Sequence, residues 1–270
     1  MSIGVAIIGG SGIYDPHLLE DIRSEKVNTP FGSVMVRVGK YRGQEVAFQA
    51  RHGEEHVIPP HRINYRANIW GLKCLGVKNI LATAAVGSLN ASMKPKQFIF
   101  IDQFLDFTKS RPQTFVESGV VHLDMTEPYC PELRKLLVDT ARDIGLDCHL
   151  RGTYVCSEGP RFETPAEIRM FRHFGGDVIG MTGVPEVVLA REAGICYATI
   201  AMVTNFAAGI SVRRLSHQEV LDVMGENLDK IRRLILSTLA HLKPERECLC
   251  QEMLFDPAII NGSQEERNSR

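Results

Sequence analysis

Apolar and polar positions along the chain fall into two alternating rhythms. Val5-Ala6-Ile7-Ile8 is a short apolar run stopped by Gly9-Gly10-Ser11-Gly12, the mark of a buried strand ending in a tight loop. Strand-like segments recur at 34–38, 45–50, 79–83, 97–102, 152–157 and 196–203. Apolar positions three and four apart mark helices over 62–75, 131–145, 165–174, 186–193 and, longest, 217–242. Pro131, Pro165 and Pro185 stand where helices should start, and Gly145 where one should end. Strands alternating with helices predict an α/β fold, a single domain over 1–243. Its sheet should be mixed, mostly parallel and central, flanked by helices on both faces. From 244 to 270 the character changes, and the polar stretch Asn261–Arg270 reads as a partly disordered tail.

Composition adds exclusions. A chain of 270 residues, 44% hydrophobic and 23% charged, can bury a core without disulfides or metal. Lys plus Arg number 31 against 32 for Asp plus Glu, which leaves no basic footprint for nucleic acid or an anionic membrane. No apolar run approaches the ~20 residues of a spanning helix. The N-terminus runs straight into a strand without a signal peptide, so the expected compartment is the cytoplasm. Of seven cysteines, five are scattered and read as small buried thiols. Cys248 and Cys250 form a C-x-C pair. A zinc site would need a second pair of ligands, and none follows. A disulfide and two plain thiols remain as readings of that pair, and no metal is expected.

Candidate chemistry clusters at strand and helix ends. Gly10-Ser11-Gly12 begins a dinucleotide fingerprint, but Asp15 stands at the third glycine position. What survives is an anion cradle of backbone N–H groups and the Ser11 hydroxyl. Arg51-His52 follows an apolar strand and offers donors to a phosphate. His52-Gly53-Glu54-Glu55-His56 matches the H-x-x-E-H zinc pattern, but Gly53 and the nearby prolines argue against the required helix. Small residues from Ala82 to Ser88 let a ligand approach the backbone. Thr182 precedes a helix start, and Met181 offers a soft apolar surface. Glu163, Asn205 and His217 also sit at element ends. Each alone has a bland reading as cap, turn or surface residue; together they could read a 6-oxopurine edge and a ribose 5′-hydroxyl.

These motifs resemble the trimeric purine nucleoside phosphorylase and methylthioadenosine phosphorylase family. The matching stretches include IIGGSG (7–12), RHG (51–53), NYRANIW (64–70), AVGSL (85–89), EGPRFET (158–164), the run 180–205 and SHQEV (216–220). The resemblance implies phosphate held by Ser11, Arg51, His52, the backbone around Ala84 and Ala85, and Thr182. It places Met181 against the ribose and Phe162 against the purine, with Phe206 and Ala207 beside the substrate. Asn205 would meet N-7 and O-6, and Glu163 the N-1 edge; with His52 these form the implied catalytic set. His122 would reach a neighbouring subunit's ribose 5′ region, which implies a homo-oligomer, a trimer or a hexamer.

Four positions separate this chain from the methylthioadenosine branch. That branch carries serine at Glu163, aspartates at Asn205 and Ala207, and a small apolar residue at His217. The departures favour inosine and guanosine as substrates, with inorganic phosphate as co-substrate and no metal or organic cofactor. A methylthioinosine phosphorylase, with the same base reading and an apolar 5′ pocket, is the nearest rival. A nucleoside hydrolase and a binding protein without turnover stand further off, since neither calls for a set of phosphate groups.

Overall fold

The computed structural model describes residues 3–10, 19–55, 57–117, 119, 121–211, 217–243 and 248–251. The first strand, β1 (Val5–Gly9), is buried along its whole length. It lies between β4 (Gln44–Ala50) and β5 (Asn79–Ser88), parallel to both. Strand β11 (Cys196–Phe206) runs parallel to β5. Buried on both faces, these strands read as continuous apolar runs rather than alternating ones.

The sheet extends antiparallel at one edge through β3 (Gly32–Tyr41) to β2 (Glu20–Thr29). Towards the other edge lie β10 (Val178–Gly180), β9 (Thr153–Ser157) and β7 (Gln103–Phe107). Two short strands, β6 (Phe98–Phe100) and β8 (Cys148–His149), extend the β11 side. The sheet is mixed and mostly parallel, as expected. Segment 97–102 resolves into β6 alone, and the polar segment of β2 was not anticipated. That strand has few buried positions to set a pattern; ladder bonds and ion pairs such as Lys40–Asp21 accompany it.

Helices cover both faces. Residues of α1 (Tyr65–Cys74) and α4 (Gly183–Glu192), such as Ile69, Leu72, Val187 and Leu189, share one cluster with Ala6 and Ile8. Residues of α2 (Pro131–Asp143) and α5 (His217–His241), such as Leu133, Leu137, Leu234 and Ile235, share the other with Val5 and Ile7. The alternation along β1 thus feeds two cores. A smaller cluster seats α3 (Pro165–His173) through Ile168 and Phe171.

The proline and glycine signals hold. Pro131 and Pro165 open their helices. Val184 is non-helical, so the regular part of α4 begins at Pro185. Gly145, at φ +67°, takes the left-handed turn after α2, and its N–H donates to the Arg142 carbonyl. Among the described residues, no helix is long and apolar enough to cross a membrane. The tail expectation falls largely outside the described residues, but Leu249–Gln251 forms a short 3-10 turn with Cys250 buried.

Candidate active site

A cleft of about 490 Å³ opens at the carboxyl ends of the parallel strands. It is lined by Gly10 after β1, Arg51 and His52 after β4, Thr83 to Gly87 late in β5, and Thr204, Asn205 and Ala207 at the end of β11. Strand ends of an open α/β sheet leave exposed backbone groups and space between diverging loops, and ligands bind there. The volume suits a small organic molecule.

Arg51 sits at the floor, 3% exposed. Its Nε and Nη2 donate to the two Glu186 oxygens at 2.8 and 2.7 Å, and its Nη1 donates to the Thr83 carbonyl at 2.9 Å. Tyr197 donates its hydroxyl to the same carboxylate at 2.7 Å. Burial pulls the Arg51 pKa down, but the Glu186 charge and hydrogen bonds more than offset this, so the guanidinium is held firmly charged. Three of its five N–H groups are used in these bonds, and one on each terminal nitrogen lies outside them. The expected phosphate donor is therefore also half of a buried ion pair, a double role that the sequence does not reveal.

His52 turns its Nδ1 to the Ile58 carbonyl at 2.8 Å; a carbonyl only accepts, so Nδ1 carries the hydrogen. Residues 51–55 form a turn, not a helix, which removes the zinc-protease reading of His52. Thr182 makes no side-chain cap bond, and its hydroxyl belongs to a residue lining the cleft. The Thr182 and Gly183 N–H groups donate to the Tyr154 hydroxyl at 3.3 and 3.4 Å, so the start of α4 offers its hydroxyl rather than those amides. Ala84 and Ala85 line the same wall.

Glu163 and Phe162 reach the cleft from the loop before α3. Thr164 caps that helix in a reciprocal box with Glu167, so the Glu163 backbone is fixed from the C-terminal side. Gly159 is required in the same loop. Its φ is +65°, and a Cβ there would stand 2.6 Å from the Met181 sulfur. Burial raises the pKa of Glu163, and the Ser157 hydroxyl, donating to its Oε1, opposes that rise.

Asn205 owes its direction to a bulge. Val203 pairs with Val86 and Asn205 with Gly87, leaving Thr204 as an extra residue in β11. Successive strand residues normally face opposite ways, yet here Thr204 and Asn205 both line the cleft. Thr204 donates its hydroxyl to Asn205 Oδ1 at 2.8 Å. Asn205 Nδ2 donates one hydrogen to the Phe206 carbonyl at 2.9 Å, and its second is directed by the same locked amide. Phe206 acts here through its backbone, while Ala207 lines the cleft.

The remaining expectations divide. Met181 lines the cleft. Ser11 lies outside the described residues. His217 opens α5, and its side chain lies outside the described residues; Val220, Leu221 and Met224 of the same helix line the cleft. His122 is exposed and does not line the cleft of its own chain. Sequence reasoning missed Arg111, which is buried and donates to the carbonyls of Met181, Val184 and Glu158 at 2.7, 2.8 and 2.7 Å. It ties the loop before Glu163 to the start of α4. No local pattern marks such a residue, because its acceptors come from distant segments.

The family profile described as the phosphorylase superfamily matches residues 4–240. The chain belongs to this superfamily. Among curated relatives of this phosphorylase is the probable 6-oxopurine nucleoside phosphorylase of Moorella thermoacetica, 56% identical over 249 residues, 91% of this chain and 96% of that one. Another is the 6-oxopurine nucleoside phosphorylase of Pyrococcus furiosus, 54% identical over 258 residues, covering 93% and 97%. A solved methylthioadenosine phosphorylase from an antarctic soil metagenomic library superposes with a TM-score of 0.91 at 36% identity, covering 99% and 98%. In this phosphorylase Arg51 and Thr182, a buried cation and a hydroxyl, thus line the same cleft as the Glu163 carboxyl and the Asn205 amide.

Proposed function

We propose that this chain catalyses phosphorolysis of 6-oxopurine nucleosides, taking inosine or guanosine with inorganic phosphate to the free purine and ribose 1-phosphate. The observation that carries the reading is the joint presence of Glu163 and Asn205 with Arg51 and Thr182 in one cleft. The relatives named 6-oxopurine nucleoside phosphorylase support it.

Cleavage of the glycosidic bond gives the sugar oxocarbenium character and gathers negative charge on the purine. Phosphate held by Arg51, His52, Thr182 and the Ala84–Ala85 backbone serves as nucleophile and as charge partner of the sugar. Asn205 donates its remaining Nδ2 hydrogen towards N-7 as charge builds there. Ionised Glu163 accepts from the N-1 hydrogen, and in guanine from the 2-amino group. Adenine presents a lone pair at N-1, and a site built for a donor rejects it through unpaired buried groups. Phe162 and Met181 supply apolar surface to base and ribose. We read His122 as acting across a subunit boundary in a homotrimer or a hexamer, and the reaction calls for no organic cofactor.

A second reading, methylthioinosine as substrate, is favoured by Val220, Leu221 and Met224, which give the cleft an apolar wall on α5. Base release from inosine, guanosine, adenosine and methylthioinosine, each with and without phosphate, tests both readings. The proposal expects phosphate-dependent release from inosine and guanosine and little from adenosine. Turnover of inosine in phosphate-free buffer would overturn the phosphorylase reading, and faster turnover of methylthioinosine would select the second.

A further inference from the structure

The C-x-C pair finds its partners upstream rather than downstream. The sulfur atoms of Cys130, Cys196, Cys248 and Cys250 all lie within 4.8 Å of one another. Three of the residues are buried and Cys248 is half-buried. Cys130 is the N-cap of α2, Cys196 is the first residue of β11, Cys248 directly precedes the last described turn and Cys250 lies within it. These elements are distant in sequence, so no spacing rule applied to the C-x-C pair alone would connect them.

The geometry points to a tetrathiolate site for a soft divalent cation, and we propose that it binds zinc. Zinc–sulfur bonds of ~2.3 Å place tetrahedral sulfurs about 3.8 Å apart. Cys248 lies 3.6 Å from Cys130 and 3.3 Å from Cys196, so it is shared between two partners rather than committed to one. A disulfide would pair the four into two couples, each with sulfurs ~2.05 Å apart. The ligand backbones are held in advance: the Cys130 N–H donates to the Tyr197 carbonyl and the Cys196 N–H to the Lys78 carbonyl.

The surroundings suit the charge of four thiolates around a divalent ion. The Leu133 N–H, in the first turn of α2, donates to the Cys130 sulfur at 3.4 Å. Arg191 donates to the Cys250 carbonyl at 3.3 Å and brings a positive charge close by. Binding would release the thiol protons to solvent and tie the segment after α5 to α2 and β11. It would fasten the far end of the helix whose first turns line the cleft. The inference stands apart from the proposed substrate, since none of these cysteines lines the cleft.

The test is metal analysis of the full chain purified without chelator. The site predicts about one zinc per chain and protection of four thiols from alkylation until a chelator is added. Cobalt in place of zinc should give the sulfur-to-cobalt charge-transfer bands of a tetrahedral thiolate site, and Cys248→Ser with Cys250→Ser should abolish them. Chelation of the wild type should lower its melting temperature by several degrees, a readout that does not depend on the variant folding. Zinc well below one per chain with four freely alkylated thiols would overturn the proposal. So would an intact mass lower by four hydrogens, which would mean two disulfides.

Discussion

At the residue scale, Glu163 links the environment of one side chain to the choice of base. Its pKa stands above the ordinary 4.5, raised by burial and held back by the Ser157 hydroxyl. A raised carboxyl pKa contributes stability that is full below the unfolded value and lost as pH rises through the folded one. Activity runs the other way, because the carboxylate must be ionised to accept from N-1–H. The acid limb of kcat/KM for inosine should therefore lie above the usual glutamate range. Ser157→Ala removes the donor that favours the charged form and should move that limb further up. Protonated Glu163 could instead donate to N-1 of adenine, so the ratio of adenosine to inosine turnover should climb as pH falls through the limb. The pH profiles of wild type, Ser157→Ala and Glu163→Gln check this; a limb unmoved in Glu163→Gln would belong to another group.

At the element scale, β11 and α5 shape the cleft by departures from regularity that a pattern of apolar residues does not encode. The end of β11 is legible as an apolar run reaching Val203, but the bulge at Thr204 arises because Asn205 rather than Thr204 pairs with Gly87, and it cannot be read locally. Helix α5 was legible from its long period, as was its start near His217. The arrival of Val220, Leu221 and Met224 at the cleft depends on how the helix packs. That apolar wall sharpens the role expected of His217 as the polar group for a 5′-hydroxyl. His217→Val should then remove much of the preference for inosine over methylthioinosine, a loss of ~1–3 kcal/mol for one unpaired buried polar group. The preference for inosine over adenosine should persist, because Glu163 and Asn205 are unchanged. Competition between the two 6-oxopurine nucleosides on this variant gives the measurement, and an unaltered ratio would remove His217 from the 5′ pocket.

At the scale of the whole molecule, the central strands, the helices and many cleft-lining residues were legible, because buried parallel strands and their ends leave compact marks in sequence, whereas β2, β7, β8 and β10 were not. The long-range polar network was not. Arg51, Glu186 and Tyr197 stand far apart in the chain and meet only when β4, α4 and β11 are assembled. This network confounds the obvious test of phosphate binding. Arg51→Ala would strand the Glu186 carboxylate, 1% exposed, without its cation. Breaking a buried pair this way costs roughly 3–5 kcal/mol, so lost activity would not separate phosphate binding from folding. Replacing the whole network should separate them: Arg51→Met, Glu186→Leu and Tyr197→Phe remove both charges and the hydroxyl together. Such replacements by packed apolar groups are often neutral or stabilising, by ~1–4 kcal/mol. The triple variant should recover the denaturation midpoint lost by Arg51→Ala. If the two N–H groups of Arg51 outside the network serve phosphate, the KM for phosphate should stay raised despite that recovery. Recovery of both would make Arg51 a framework residue and leave phosphate to His52, Thr182 and the Ala84–Ala85 backbone.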